Sequence, residues 1–253
     1  WSYDLEGNLK AAPHIGGTNI HKPEKFNFSK HGLKSIRTHI WHDWIFINLN
    51  NKAKKFEIYA KTLIKKFKDT DFKKLKYAAT LDFGKINSNW KFLIENFIEP
   101  YHVQFVHKTT TNQPLKDHYT IVDGICYGSG VNVEKEDSKN SNALSVTSRY
   151  LSLFPNFIIG SYFPNQIGVY LNVPVSPGIT IQKRIIYTTD GTIMGEKEVD
   201  MVKNIWWSVH KEDHEMCERL QEGRSSPASD EGGLLSPVWE KGVQKFQKLI
   251  IEA

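Results

Sequence analysis

Cysteine is scarce in this chain: Cys126 and Cys217 are the only two among 253 residues, and they lie far apart without metal-like spacing. No disulfide framework can be written from them, so a reducing, cytoplasmic setting is expected. No stretch approaches the ~18 unbroken apolar residues of a membrane span, and no membrane role is expected. A GxGxxG fingerprint is missing, which leaves no dinucleotide site of that kind. So is a GxSxG elbow, and with it the case for Ser-His-Asp hydrolysis. The HExxH arrangement of zinc proteases is also absent, and there are no internal repeats. Charge of one sign does not dominate either, the formal balance being only +5.

What is present is a chain long enough to bury a sizeable core, rich in aromatic residues. Lysines concentrate between Lys52 and Lys76. In KKFEIYAKTLIKKF (54–67) the apolar positions Phe56, Tyr59, Leu63, Ile64 and Phe67 follow helical spacing. One amphipathic helix with a solvated lysine face is expected. Nucleic acid is not an expected partner, and docking of an acidic protein is the second use of such a face.

The chain opens on WSYDLEGNL, read as a strand, a turn at Glu6-Gly7-Asn8 and a second strand. It looks like entry into the middle of a fold. Residues 33–49 read as two short strands joined near His42-Asp43, and KLKYAATLDFG (74–84) as a half-buried strand. A helix is expected over roughly 88–104 and strand character over 119–134. Further strands are expected at 149–154, 157–163, 167–174 and 179–188, with Asp190-Gly191 as a hairpin turn. A long helix should run from about 196 to 222, and a last one should start at Ser236-Pro237. Antiparallel strands bracketed by helices make an α+β protein.

The chemistry concentrates in ENFIEPYHVQFVH (95–107). Trp90, Leu93, Ile94, Phe97 and Tyr101 form one apolar stripe at helical spacing. A second stripe runs beside it: Phe92, Glu95, Asn96, Glu99 and His102. Such a polar stripe is either exposed or lines an internal site. His107 lies five positions after His102, about 140° away around an ideal helix. The two can meet one point only if the helix ends or bends between them, and Pro100 supplies a cause.

On the second long helix the apolar stripe Val199, Val202, Trp206, Val209 continues through Asp213 to Met216 and Leu220. A carboxylate in that stripe is costly unless paired or coordinated. Glu212, Glu215 and Glu218 fall off the stripe and read as solvated. His102, His107 and Asp213 together would be a two-histidine, one-carboxylate set, the ligand type of non-haem Fe(II) oxygenases. His210 and His214, four apart, are a weaker zinc alternative. Surface or structural roles are expected for His14, His21, His31, His39 and His42.

Three stretches resemble the catalytic α-subunit of Rieske-type non-haem iron oxygenases. They are NWKFLIENFIEPYHVQFVH (89–107), EDHEMCERLQEG (212–223) and GGLLSPVWEKGVQKFQKLI (232–250). The resemblance implies a helix-grip fold, an antiparallel sheet gripping a long helix over a substrate cavity. It implies mononuclear iron on His102, His107 and Asp213, with Asn96 close by. Glu99 stands where the family has an acid, usually Asp, that carries electrons from the Rieske histidine of a neighbouring subunit. The Glu at 99 is similar to a branch acting on quaternary ammonium compounds. Residues 1–50 would be the tail of a Rieske domain and 51–253 the catalytic domain. No CxH or CxxH pair occurs, so the 2Fe-2S cluster of the full-length protein has no usual ligands here, and this chain alone should not turn over.

The implied partners are O₂, a small organic substrate, a reductase drawing on NAD(P)H, with or without a ferredoxin, and two further copies in a homotrimer. The cavity would be lined by Tyr101, Phe163, Tyr170 and Trp206. These rings would stack on an aromatic substrate or cage a quaternary amine. The other reading of the same fold is a non-catalytic domain that carries a hydrophobic ligand.

Overall fold

The computed structural model describes residues 1–111, 113–132 and 147–253. Residues 133 and 134 of the strand expected at 119–134 lie outside that set. The chain divides into two compact units, Trp1–Tyr59 and Ala60–Ala253.

The first unit holds two antiparallel pairs. β1 (Ser2–Tyr3) pairs with β2 (Leu9–Ala11) around Gly7, whose φ of 84° is a backbone conformation that glycine tolerates. β3 (Arg37–Trp41) pairs with β4 (Trp44–Asn48) through a tight turn in which His42 takes a φ of 55°. Along this hairpin the side chains alternate between faces. Phe46 and His39 pack on Phe56, with ring centres 4.6 and 4.3 Å away. Phe56 opens α1 (Phe56–Tyr59).

The single lysine-rich helix expected over 54–67 is two pieces. α2 (Lys61–Lys66) starts after Ala60, which leaves helical geometry at φ −99°, ψ 16°. The reason lies in the apolar positions. Phe56 is held in the first unit's core, while Leu63 and Phe67 are buried in the second.

The second unit is built on a seven-stranded antiparallel sheet. Its strands are β5 (Lys76–Ile86), β6 (His118–Asp123), β7 (Cys126–Asn132), β8 (Thr147–Leu153), β9 (Phe157–Tyr162), β10 (Gln166–Ser176) and β11 (Ile179–Thr188). The spatial order is β5-β11-β10-β9-β8-β7-β6. Against it pack α3 (Trp90–Ile98), α5 (Glu196–Arg224) and α6 (Lys241–Glu252). Ile94 and Ile98 of α3 meet Tyr127, Ile158 and Tyr170 of the sheet and Val243 and Phe246 of α6 in one core cluster. The α+β class and the gripping sheet are as the sequence led us to expect.

Two expected boundaries shift. Asp190-Gly191 does not join two strands: Asp190 accepts from Thr192 N–H at 3.0 Å and from Asn165 at 2.6 Å, and the chain passes into α5. Ser236 does not start a helix at once. Its hydroxyl accepts from Trp239 N–H while Glu240 accepts its own N–H, closing a turn before α6 begins at Lys241.

Candidate metal centre and its cavity

α3 is placed by its first residues. Asn89 caps it, accepting from Lys91 N–H at 3.0 Å. The preceding segment is tied to α5 through Asn87 N–H on Glu218, Ser88 Oγ on the Cys217 carbonyl and Asn89 N–H on Gln221. Helix α3 then stops at Ile98. Glu99 is extended at φ −104°, ψ 142°, the geometry that a following proline imposes. Within a few residues α4 (Val103–Val106) begins, with His102 at its front and His107 at its end. A single turn of helix thus separates two imidazoles whose ring centres are 5.2 Å apart.

From α5, Asp213 reaches both rings. Its Oδ1 lies 3.1 Å from His107 Nε2 and 3.5 Å from His102 Nε2. One ligand atom from each of the three falls within 4.8 Å of the others. The opposite nitrogens are also held: His102 Nδ1 is 2.5 Å from Glu99 Oε1, and His107 Nδ1 is 2.7 Å from Glu212 Oε2. Asn96 donates to Asp213 Oδ1 at 2.8 Å. Each imidazole is therefore pinned by a carboxylate on Nδ1 with Nε2 turned inward, an arrangement that orients a metal-bound histidine and raises its basicity.

Burial disfavours the imidazolium of His102, yet hydrogen bonds and charge from Asp213 and Glu99 outweigh it, and its pKa is pushed up to about 10. His107 moves the same way: burial opposes the shift, and Asp213 and Glu212 prevail. Asp213 is held well below the usual carboxylate range, the two histidines overcoming its burial. Without a metal, the surrounding carboxylates draw both histidines towards their protonated forms. The donor set of two Nε2 atoms and a carboxylate, all facing one point, fits an Fe(II) ion with open positions.

A cavity of about 120 Å³ adjoins this cluster. Tyr170 and Trp206 line it, together with Glu99 and Asn96. Two other candidates lie elsewhere. Tyr101 is 44% exposed and packs edge-on against Phe105, because the chain has left the helix before reaching it. Phe163 does not line the cavity; its N–H donates to Ser148 Oγ just past the end of β9.

Glu212, expected to be solvated, is partly buried, pairs with His107 and accepts from Thr109 and Thr110. Tyr150, Tyr162 and Arg184, which the sequence did not single out, also line the cavity, as do His210 and His214. His210 and His214 are turned to Arg184 and Gln182 rather than to a shared metal.

Comparison with known proteins places this geometry. Residues 65–253 match the model of the ring hydroxylating alpha subunit, catalytic domain. The chain belongs to that family. Choline monooxygenase (chloroplastic) of Atriplex hortensis is 24% identical over 253 residues, covering 97% of this chain and 56% of that protein. The chain thus spans about half the length of the curated relatives it matches.

Among solved structures, the quaternary ammonium Rieske monooxygenase CntA superposes at a TM-score of 0.77 with 18% identity, over 100% of this chain and 69% of that one. Naphthalene 1,2-dioxygenase superposes at 0.64 with 16% identity, over 93% of this chain and 63% of that one. At these identities the likeness establishes the fold. The ring-hydroxylating catalytic domain is that fold, and the chain's histidine-aspartate cluster lies inside the stretch that matches the family.

Proposed function

We propose that this chain is the iron-binding catalytic portion of a terminal oxygenase that hydroxylates or dealkylates a small organic compound with O₂. The observation that carries this is the cluster itself: two inward Nε2 atoms and Asp213 meet at one point, and Glu99 and Glu212 back the two imidazoles. When bound, iron(II) would supply O₂ activation beside the substrate.

The protein's own groups do the rest. Glu99 and Glu212 orient the imidazoles and keep a proton on each Nδ1, so that Nε2 is the free donor. Asn96 holds Asp213 in line. Cavity walls of aromatic and aliphatic side chains keep bulk water from the reacting face. Glu99 is the route for electrons, which would come from NAD(P)H through a reductase, with or without a ferredoxin, and from the 2Fe-2S cluster of a neighbouring subunit in a trimer. Its carboxylate meets the outward nitrogen of His102, the face away from Asp213.

A hydrophobic-ligand carrier of the same shape would have no use for three buried ligating groups. No helix among the described residues is long and apolar enough to cross a membrane. Cys126 and Cys217 are free and buried, in keeping with a reducing, cytoplasmic setting.

The test is turnover of the full-length protein with its reductase. Glu99→Gln should keep its iron and lose roughly 10–100-fold in O₂-dependent product formation, the usual scale for such outer partners. Full activity in that variant contradicts the bridge. Steady turnover by these 253 residues alone contradicts the dependence on a cluster.

A further inference from the structure

Among the described residues, one charge in the cavity has no counter-charge. Arg184, on β11, is 1% exposed and lines the cavity. Its guanidinium carbon lies 3.3 Å from the centre of the Trp206 ring, 4.6 Å from that of Tyr162 and 5.1 Å from that of Tyr170. Nη1 donates to Tyr170 Oη at 2.5 Å and stands 3.2 Å from His210 Nε2. Nε and Nη2 have no hydrogen-bond partner among the described residues. The two acids that line the cavity, Glu99 and Asp213, are committed to His102 and His107. A side chain at position 168 on the adjacent strand would crowd the unpartnered edge, since a Cβ in place of Gly168 would stand 2.9 Å from both Nε and Nη2.

An unpaired buried cation is costly, and contacts with three rings offset only part of that cost. Nε and Nη2 form the edge with which arginine takes both oxygens of a carboxylate. The rings that would cage a quaternary ammonium are meanwhile occupied by the guanidinium, and a substrate cation would meet a like charge beside them. We infer that the cavity takes a small organic carboxylate, an anion or a zwitterion, whose carboxylate pairs with Arg184, and that it rejects an ammonium compound with no anionic group. This rests on the cavity being the substrate site of the oxygenase proposed above.

Calorimetric titration of the metal-free chain tests it with two matched pairs: benzoate against benzyl alcohol, and glycine betaine against choline. Leaving out iron removes direct coordination of a carboxylate, and iron content is measured separately, so this inference and the oxygenase reading fail independently. At least one carboxylate should bind about 10-fold or more tighter than its alcohol partner, the scale of a charge-assisted bond. Arg184→Gln should erase that preference while leaving the alcohols unchanged. Arg184→Lys, which keeps the charge but loses the fork, should weaken the carboxylate and spare the alcohols.

If Arg184→Gln fails to fold by circular dichroism, the wild-type pairs and Arg184→Lys decide alone. Both alcohols binding as tightly as their carboxylate partners, or choline binding more tightly than glycine betaine, overturns the inference. So does no measurable binding of either carboxylate, or a preference that survives in Arg184→Gln.

Discussion

Glu212 shows what one residue's surroundings can hide. In the sequence it is one of several acids on α5, no different from Glu215 or Glu218, and only the fold turns it onto His107 Nδ1 at 2.7 Å. Glu212→Ala should leave the chain folded and weaken iron binding by about 10–100-fold, measured by competition with a chelator. An unchanged affinity would show that His107 needs no outer partner. Asp213 was legible for the opposite reason, as a carboxylate interrupting an otherwise apolar stripe.

Arg184 was not legible. β11 alternates isoleucine with polar residues, and the habitual reading turns the isoleucines inward. In the structure Thr180, Gln182 and Arg184 are the buried set, and Ile181 and Ile185 are less so. A strand whose inward row is polar lines a site instead of a core.

Protonation belongs to the same scale. In the metal-free chain the pKa of His102, about 10, lies above its ordinary 6.5. Its ion pairs therefore contribute stability fully below pH 6.5, and the contribution is lost as pH rises through about 10. A metal competes with those protons, so iron affinity should fall as pH is lowered. Calorimetry at pH 7 in buffers of different ionisation enthalpy should count at least one proton released per iron bound. Zero release would contradict the raised pKa of His102.

At the scale of elements, the decisive feature is the break at Pro100. The sequence supplied the conflict, two histidines five apart, and its resolution, a proline between them. It did not show that α3 would stop outright and α4 begin within a few residues. Pro100→Ala relieves the restriction on Glu99. It should lower iron affinity several-fold with little loss of stability, seen by comparing chelator competition with urea melts. An affinity equal to wild type would mean that the surrounding packing, not the proline, sets the turn.

Helix α6 closes the other side of the core. Phe246 is fully buried among Trp90, Tyr127 and Phe154. Phe246→Ala should cost about 3–5 kcal/mol in urea unfolding, and a loss under 1 kcal/mol would place the ring outside the core. The start of α6 was misread because Ser236 and Pro237 suit a turn as well as a helix cap. The lysine-rich segment was misread because helical periodicity does not register that its apolar residues serve two different cores.

For the whole molecule, the sheet was the most legible part. Its strands from β8 on announce themselves by punctuation at Pro155, Asn156, Pro164, Asn165 and Gly178, whereas the single stretch expected over 119–134 divides at Gly124 into the paired β6 and β7. What periodicity could not supply was the spatial order of seven strands, or which face of β10 and β11 would turn to the cavity. The histidine-aspartate centre draws its parts from a bend after α3 and from the middle of α5, joined across more than a hundred residues of chain.

That meeting is the central claim, and metal content tests it most directly. The purified chain, loaded with Fe(II) without oxygen and passed through a desalting column, should retain one iron per chain. His102→Ala and Asp213→Ala should retain close to none while keeping the wild-type circular dichroism spectrum. Iron retained equally by both variants, or none retained by the wild type, would contradict the assignment of these three residues as a metal centre.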